Sequence, residues 1–148
     1  MLNISINTNI KKLLFIGAGA NDFGREAEHD AAIYQVMPEL CGHGIDVFVI
    51  DENPYALSLE SLAATAYWQP LTVANIKAII KDNQIDTVMP LFGGEASLRI
   101  WAEVVQSWSH GDGALPQTLG LSIEMLLKVN NIPALTRFMA DNGLPVIT

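Results

Sequence analysis

The sequence predicts an α/β fold, in which helices cover both faces of a mostly parallel sheet to make one three-layer domain. Short aliphatic or β-branched runs alternate with longer stretches whose apolar residues recur every three or four positions, which is typical of repeated strand–helix units. The strongest runs have no alternating polar residues, as expected of strands buried on both faces. The chain of 148 residues is 50% hydrophobic, so it can form one core without disulfides or a structural metal.

The strands are predicted from these apolar runs. The three clearest are residues 12–16 (KLLFI), 47–50 (VFVI) and 87–89 (TVM). Weaker candidates are residues 66–68, 118–119 and 146–148.

The helices are predicted in the amphipathic stretches between the strands. The three longer ones cover residues 26–41, 73–82 and 95–108, and two short ones cover 123–129 and 131–141. Pro38 lies inside the first helix, where it removes a backbone donor and clashes with the preceding turn. We therefore expect that helix to bend or to end early. Asn131 is expected to cap the last helix, and Gly143 to end it.

Charge and composition exclude several classes of function. Eight Lys and Arg residues against sixteen Asp and Glu give a net charge of −8, and the basic residues are scattered between Lys11 and Arg137. No basic face is expected to meet nucleic acid or an anionic membrane. The one cysteine, Cys41, cannot form an internal disulfide, and the N-terminal lysines follow the apolar residues, the reverse of a signal peptide. We expect a cytoplasmic protein.

A glycine-rich loop follows the first strand, at the point where backbone N–H groups and a helix N-terminus can hold an anion. Gly17, Gly19 and Gly24 give the spacing GxGxxxxG, which differs from the dinucleotide fingerprint GxGxxG. Arg25-Glu26 stands where a phosphate loop requires Lys-Ser/Thr. Two interpretations stay open: a loop that faces a ligand, or a tight turn whose glycines serve backbone geometry alone.

The second and third clear strands are also followed by loops that carry acidic residues, together with turn-forming residues or glycines. Asp51 and Glu52 stand where a dinucleotide enzyme holds a ribose, but we favour a turn shaped by Asn53-Pro54 with the acids solvated. After the third strand come Gly93-Gly94-Glu95. Because ligands bind at the carboxyl ends of strands in open α/β sheets, we expect the three loops to share one edge.

Other chemistry-bearing side chains predict no catalytic or metal site. Glu28, His29 and Asp30 are consecutive, so they point in different directions around a helix, and no second His or Cys stands at zinc-ligand spacing. Neither Ser97 nor Ser109 lies in a nucleophile-elbow motif. The three tryptophans are predicted to be packing anchors; they are Trp68, Trp101 and Trp108.

Taken together, the three loops resemble the N-terminal, pre-ATP-grasp domain of the carbamoyl phosphate synthase large chain. That family has a GAGP loop after the first strand, an E-F-D triplet on the next helix, NxNP after the second strand and a GGQT-type turn after the third. The positions that match are Gly17, Gly19, Gly24, Glu28, Asp30, Asn53, Pro54, Gly93 and Gly94. No single motif is specific, but their order and spacing together are.

The resemblance covers residues 11–148 and implies a Rossmann-like pre-ATP-grasp domain there, preceded by a tail at 1–10, with the ATP-grasp module absent. Family members are ligases that make carbamoyl phosphate from bicarbonate, ammonia released from glutamine, and ATP, for arginine and pyrimidine biosynthesis. Their ATP and Mg²⁺ lie mostly in the ATP-grasp module. This chain alone is therefore expected to bind no cofactor and to be inactive, with an ATP-grasp module and a glutaminase small chain as implied partners.

The sequence departs from the family pattern at several positions. Glu95 replaces a Gln, Arg99 replaces a frequent Asn, and Ala20 replaces a Pro. The family's last helix begins with an arginine-rich stretch that helps to hold ATP, whereas residues 131–135 read NIPAL and carry no cation. Arg137, one turn further along, is the candidate for a phosphate contact.

These observations predict that the loops bearing the matched residues and Glu95 face a ligand or dock on an ATP-grasp module. A stand-alone nucleotide or dinucleotide binder, with Asp51 or Glu52 on a ribose, is the first alternative. A structural or regulatory module with an acidic surface for a partner protein is the second.

Overall fold

The predicted α/β fold is confirmed by the structure, a computed structural model that describes residues 9–19 and 26–146. The strands are β1 (Lys12–Ile16), β2 (Asp46–Asp51), β3 (Ala64–Trp68), β4 (Thr87–Met89) and β5 (Gln117–Thr118). The helices are α1 (Glu26–Gly42), α2 (Val73–Asn83), α3 (Gly94–Gln106), α4 (Ile123–Val129) and α5 (Ile132–Asp141). Short 3₁₀ turns cover Leu57–Glu60, Leu91–Gly93 and His110–Asp112.

The five strands form one sheet in the order β3-β2-β1-β4-β5, and every neighbouring pair is parallel. In register, Ile16 pairs with Ile50 and Phe15 pairs with Met89. The chain adds β2 and β3 on one side of β1 and then crosses to add β4 and β5 on the other. The carboxyl ends of β1 and β4 therefore meet at a topological switch point, where open α/β sheets bind ligands.

Central strand β1 divides its side chains between two apolar cores. Leu14 and Ile16 pack in the core that includes the fully buried Trp101 of α3. Leu13 and Phe15 pack in the other core, with Ile33 and other residues of α1. Because successive side chains of a strand point to opposite faces, both sets must be apolar, which explains the unbroken hydrophobic run.

Three expectations are corrected by the structure. Helix α1 does not end at Pro38, because Pro38 and Tyr34 both lie on the exposed side, where the carbonyl that loses its helical partner can bond to water. Trp68 is not a packing anchor, since it stands at the end of an edge strand and is 68% exposed. Val146 belongs to no strand, and residues 147 and 148 lie outside the described range.

The last two helices follow their predicted bounds closely. The side chain of Asn131 accepts a hydrogen bond from the backbone of Ala134 at the start of α5, and Pro133 lies in the first turn. None of the residues of α5 is buried, and the helix packs mainly on α4. Within the described ranges, no helix is long and apolar enough to cross a bilayer.

Candidate functional site

The loops after β1, β2 and β4 meet at one edge of the sheet, because these three strands are neighbours and run in the same direction. We call the described residues 17–19, 51–54 and 90–95 the rim. The backbone N–H of Gly17 donates to the carbonyl oxygen of Ile50 at 2.8 Å, which ties the first two loops together. Gly24 and Ala20 belong to the first loop but lie outside the described residues.

Gly17 packs directly against the side chain of Asp51. A Cβ atom on Gly17 would overlap the Asp51 carboxylate, so a larger residue there would displace the Asp51 side chain. Asp51 is only 2% exposed, and its Oδ1 accepts a hydrogen bond from the backbone of Asn53 at 2.8 Å. The interpretation that both acids are solvated is therefore wrong for Asp51.

Burial is the main influence on the acidity of Asp51. Loss of solvent raises the pKa of its carboxyl group above the ordinary value. Hydrogen bonds from the backbones of Asn53 and Gly19 oppose this rise, and the nearby charges of Asp30 and Glu52 add to it. The carboxylate is held by the rim's own backbone and is not available to a ribose.

Gly93 packs just as closely between the loops after β1 and β4. A Cβ atom there would overlap Ser97 Oγ and the carbonyl oxygens of Ile16 and Gly17. Ser97, buried one turn into α3, donates from its hydroxyl to the oxygen of Ile16 at 3.1 Å, and also contacts the oxygen of Gly17. At Gly17 and Gly93, close loop packing thus supports the backbone-geometry interpretation.

Asp30 fixes the rim from the side of α1. Its Oδ1 accepts from the backbone of Ser58 at 2.9 Å and its Oδ2 from that of Leu57, so it caps the 3₁₀ turn that follows β2. Asp30 and Asp51 both line a cavity of about 280 Å³, whose other lining residues are Glu26, Ala27, Asn53, Tyr55, Ala56 and Leu57. Among the residues that the structure describes, the charged members of this lining are all acidic, and acidic side chains repel a phosphate.

Asn53 and Pro54 shape a turn, as expected. The side-chain oxygen of Asn53 accepts from the backbone N–H of Tyr55 at 3.0 Å, the geometry of an Asx turn. Glu52 accepts from the backbone N–H of Leu71 at 3.3 Å. Both acids after β2 therefore have structural partners, which weakens the dinucleotide-binding alternative.

The remaining candidates are distributed around the rim. Gly94 has a φ of +72° and lies against the ring of His29, so a Cβ atom there would be 2.9 Å from His29 Nε2. Glu95 is exposed in the first turn of α3 and pairs with Arg99 one turn later. Glu28 is exposed on α1, whereas Asp30 is buried.

Arg137 lies apart from the other candidates. It is exposed on α5 and makes no hydrogen bond or ion pair with the described residues. Across the described ranges, no group of three or more His, Cys, Asp or Glu side chains could hold a metal ion.

Sequence reasoning passed over Ser97 and His29, which both touch the rim glycines. Ser97 stands four residues after Gly93, one helical turn, so the spacing alone could have placed the two together. No signal in the sequence pairs His29 with Gly94, because that contact joins two helices far apart in the chain.

Comparisons with known proteins agree with this geometry. A family model described as the carbamoyl phosphate synthase preATP-grasp domain matches residues 9–126. The carbamoyl phosphate synthase large chain of Agathobacter rectalis is 30% identical over 141 residues, which are 95% of this chain and 13% of that protein. The corresponding protein of Methanobrevibacter smithii is 34% identical over 142 residues, again 95% and 13%. This chain thus spans a small part of the length of these relatives.

One solved structure supports the fold alone. It is N5-carboxyaminoimidazole ribonucleotide synthetase from Thermotoga maritima, with a TM-score of 0.57 and 15% identity, over 94% of this chain and 32% of that one. The family model and the relatives go further than this structural likeness, because they match the sequence itself. The chain belongs to the family of carbamoyl phosphate synthase pre-ATP-grasp domains.

Proposed function

We propose that this domain serves a carbamoyl phosphate synthase large-chain-like ligase by packing against an ATP-grasp module, and that it performs no chemistry alone. The observation that carries the proposal is how the rim uses its polar side chains. Asp30, Asp51 and Ser97 all hold backbone groups of neighbouring loops. Polar side chains that are hydrogen-bonded within the domain fix the shape of a surface to which a partner can bind. A catalytic site, in contrast, has polar groups that are free to contact its substrate.

The charges of the rim support the same conclusion. Phosphoryl transfer needs Mg²⁺ and cationic side chains to stabilise the charge of the transferred group. Within residues 9–19 and 26–146, the charged residues that line the cavity beside the rim are acids, and Arg99 is paired with Glu95. In this proposal the ATP-grasp module supplies ATP, Mg²⁺ and the phosphate-binding cations, and a glutaminase small chain supplies ammonia to the assembled enzyme.

Helix α5 gives the proposal a second line of support. It is amphipathic yet has no buried residue, and Ile132 at its start is 76% exposed. An apolar helix face left open on one domain is commonly covered by the next one. Arg137 lies on the same helix and is the cation that this domain would bring to a phosphate held by the ATP-grasp module.

The proposal is tested by a chimera in which this chain replaces the matching segment of the Agathobacter rectalis large chain. We expect the chimera to retain bicarbonate-dependent ATP turnover, while the 148-residue chain alone shows none. In the chimera, Glu95→Lys on the rim should lower turnover, and Glu103→Lys, an exposed position on the same helix away from the rim, should not. Circular dichroism of each variant separates loss of docking from loss of folding.

Mixing provides an independent readout. We expect the separate chain to co-migrate with a large chain from which the matching segment has been deleted, and to raise its ATP turnover. Absence of both effects, together with an inactive but folded chimera, would contradict the proposal.

Calorimetric titration of the 148-residue chain with NAD(H), NADP(H), ATP and AMP tests the binding alternative, because tight dinucleotide binding would favour a stand-alone oxidoreductase or nucleotide binder.

A further inference from the structure

The outer edge of β3 is free. Strand β3 ends the sheet on one side, and within the described ranges no strand pairs with that edge. The backbone N–H of Gln69 donates inward to the carbonyl oxygen of Asp51 at 3.1 Å. Since alternate residues of a parallel strand bond to the same neighbour, residues 65, 67 and 69 face β2, and residues 64, 66 and 68 face outward. The backbone N–H of Ala64 donates to the carbonyl oxygen of Ser61 at 3.4 Å, so the groups open to a partner are centred on Ala66 and Trp68.

The sequence of β3 has none of the features that usually keep strand edges from pairing. Such edges are usually protected by charged side chains, prolines, bulges or very short length. Strand β3 has five residues, ATAYW, without a charge or a proline, and the nearest charged residues along the chain are Glu60 and Lys77. In a protein with a net charge of −8, a stretch this neutral is where two copies can approach with least repulsion.

The side chains at the edge are also self-complementary. If two copies meet antiparallel with Ala66 opposite Ala66, the backbone groups of the two Ala66 residues form a hydrogen-bonded pair at the axis, and Trp68 of each copy lies opposite Ala64 of the other. The indole donates from Nε1 to the carbonyl oxygen of Glu52 at 3.3 Å, yet it is 68% exposed in the single chain, and its exposed part would cover the small side chains of the other copy.

We infer that β3 is a dimerisation edge, through which two copies of this chain join their sheets about a two-fold axis at Ala66. A two-fold axis is the commonest symmetry of protein dimers, and it uses one strand twice. The inference is independent of the proposed function, because the outer edge of β3 is not part of the rim.

Sedimentation equilibrium of the 148-residue chain over a concentration series tests the inference. We expect a reversible monomer–dimer equilibrium that Ala66→Lys weakens at least about tenfold, since a lysine on each copy would meet at the axis. Lysine also reduces the net negative charge, so a loss of dimer cannot come from greater overall repulsion. Ala140→Lys, at an exposed position on α5, is the matched control and should leave the equilibrium unchanged.

Cross-linking tests the register. In a Cys41→Ser background, Ala66→Cys should form an intermolecular disulfide rapidly, because facing residues of a hydrogen-bonded antiparallel pair have Cα atoms about 5.5 Å apart. Ala140→Cys should cross-link slowly. A chain that stays monomeric at all concentrations, a dimer insensitive to Ala66→Lys, or equal cross-linking at both positions would overturn the inference.

Discussion

The two edges of the sheet use glycine for different physical reasons. At the carboxyl edge, Gly17 and Gly93 are so closely packed that a Cβ atom on either would overlap neighbouring atoms. At the amino edge, Gly44 and Gly113 face open space and instead have positive φ angles of +79° and +86°. Gly17 and Gly93 allow loops to touch, whereas Gly44 and Gly113 allow the chain to turn, as Gly19 and Gly94 also do at the carboxyl edge. Because the loops of the carboxyl edge are closely packed, this edge presents a fixed surface to a partner.

Carboxylates differ between the edges in the same way. Asp51 at the carboxyl edge is buried, and burial raises its pKa. Asp112 at the amino edge bonds to Lys81 and Lys77, and these bonds, with those from Ser109, hold its pKa well below the ordinary value. Ionisation of Asp51 at the carboxyl edge is therefore unfavourable. At the amino edge, the ion pairs of Asp112 stabilise the folded state, and solvent and salt can screen them.

The largest predicted loss of stability comes from adding a side chain at Gly93. We expect Gly93→Ala to lower the free energy of unfolding by about 1–3 kcal/mol or more, because its Cβ would overlap two backbone carbonyl oxygens that cannot move independently. Gly111→Ala is the control, since its Cβ would be 3.8 Å from the nearest atom, Ser109 Oγ, and should leave stability within about 1 kcal/mol. Urea unfolding measures both, and equal losses would show that the two edges do not differ.

A smaller effect is predicted from neutralising Asp51. The unfolded carboxyl group titrates near 3.8 and the folded one at higher pH, so the folded state binds more protons between the two values. Stability contributed by this group is therefore present below pH 3.8 and lost as the pH rises through the folded pKa. Asp51→Asn should gain stability relative to the wild type as the pH increases from 4 towards 7.

Thermal unfolding of the Asp51→Asn variant at several pH values measures this gain. Asp82→Asn removes one charge at an exposed site and controls for net charge. A difference between Asp51→Asn and the wild type that stays constant with pH would contradict a raised pKa of Asp51 in the folded protein.

The smallest effect is predicted at Asp112. Its pKa is lowered in the folded state, so its stabilising contribution is present above the ordinary pKa and lost as the pH falls below it. Asp112→Asn should slightly lower the melting temperature at pH 7 in low salt, and this loss should shrink in 1 M salt because dissolved ions screen ion pairs near the surface. A loss that is unchanged by salt would contradict the ion-pair explanation.

The sequence predicts the centre of the fold better than its margins. Strands β1, β2 and β4 are recognisable because both of their faces are buried, which demands an unbroken apolar run. Edge strands β3 and β5 are largely exposed and gave only weak signals. For the same reason Trp68, which looks like a core residue by type, lies at the surface.

At the candidate site, the sequence indicates which loops meet but not how tightly. Asp51 looks like a solvated acid when only its neighbours along the chain are considered. It becomes buried because Gly17, on the adjacent strand, leaves room for its carboxylate. Such contacts depend on the register between strands, which periodicity along one segment does not contain.

Hydrogen–deuterium exchange with and without an ATP-grasp partner tests the central claim most directly. The partner is the Agathobacter rectalis large chain lacking the matching segment, and exchange is compared between the two edges of the sheet. We predict slower exchange on binding in residues 17–19, 51–54 and 90–95, and no change in the amino-edge loops 43–45, 84–86 and 111–116. Protection confined to the amino-edge loops would contradict the assignment of the glycine-packed rim as the docking surface.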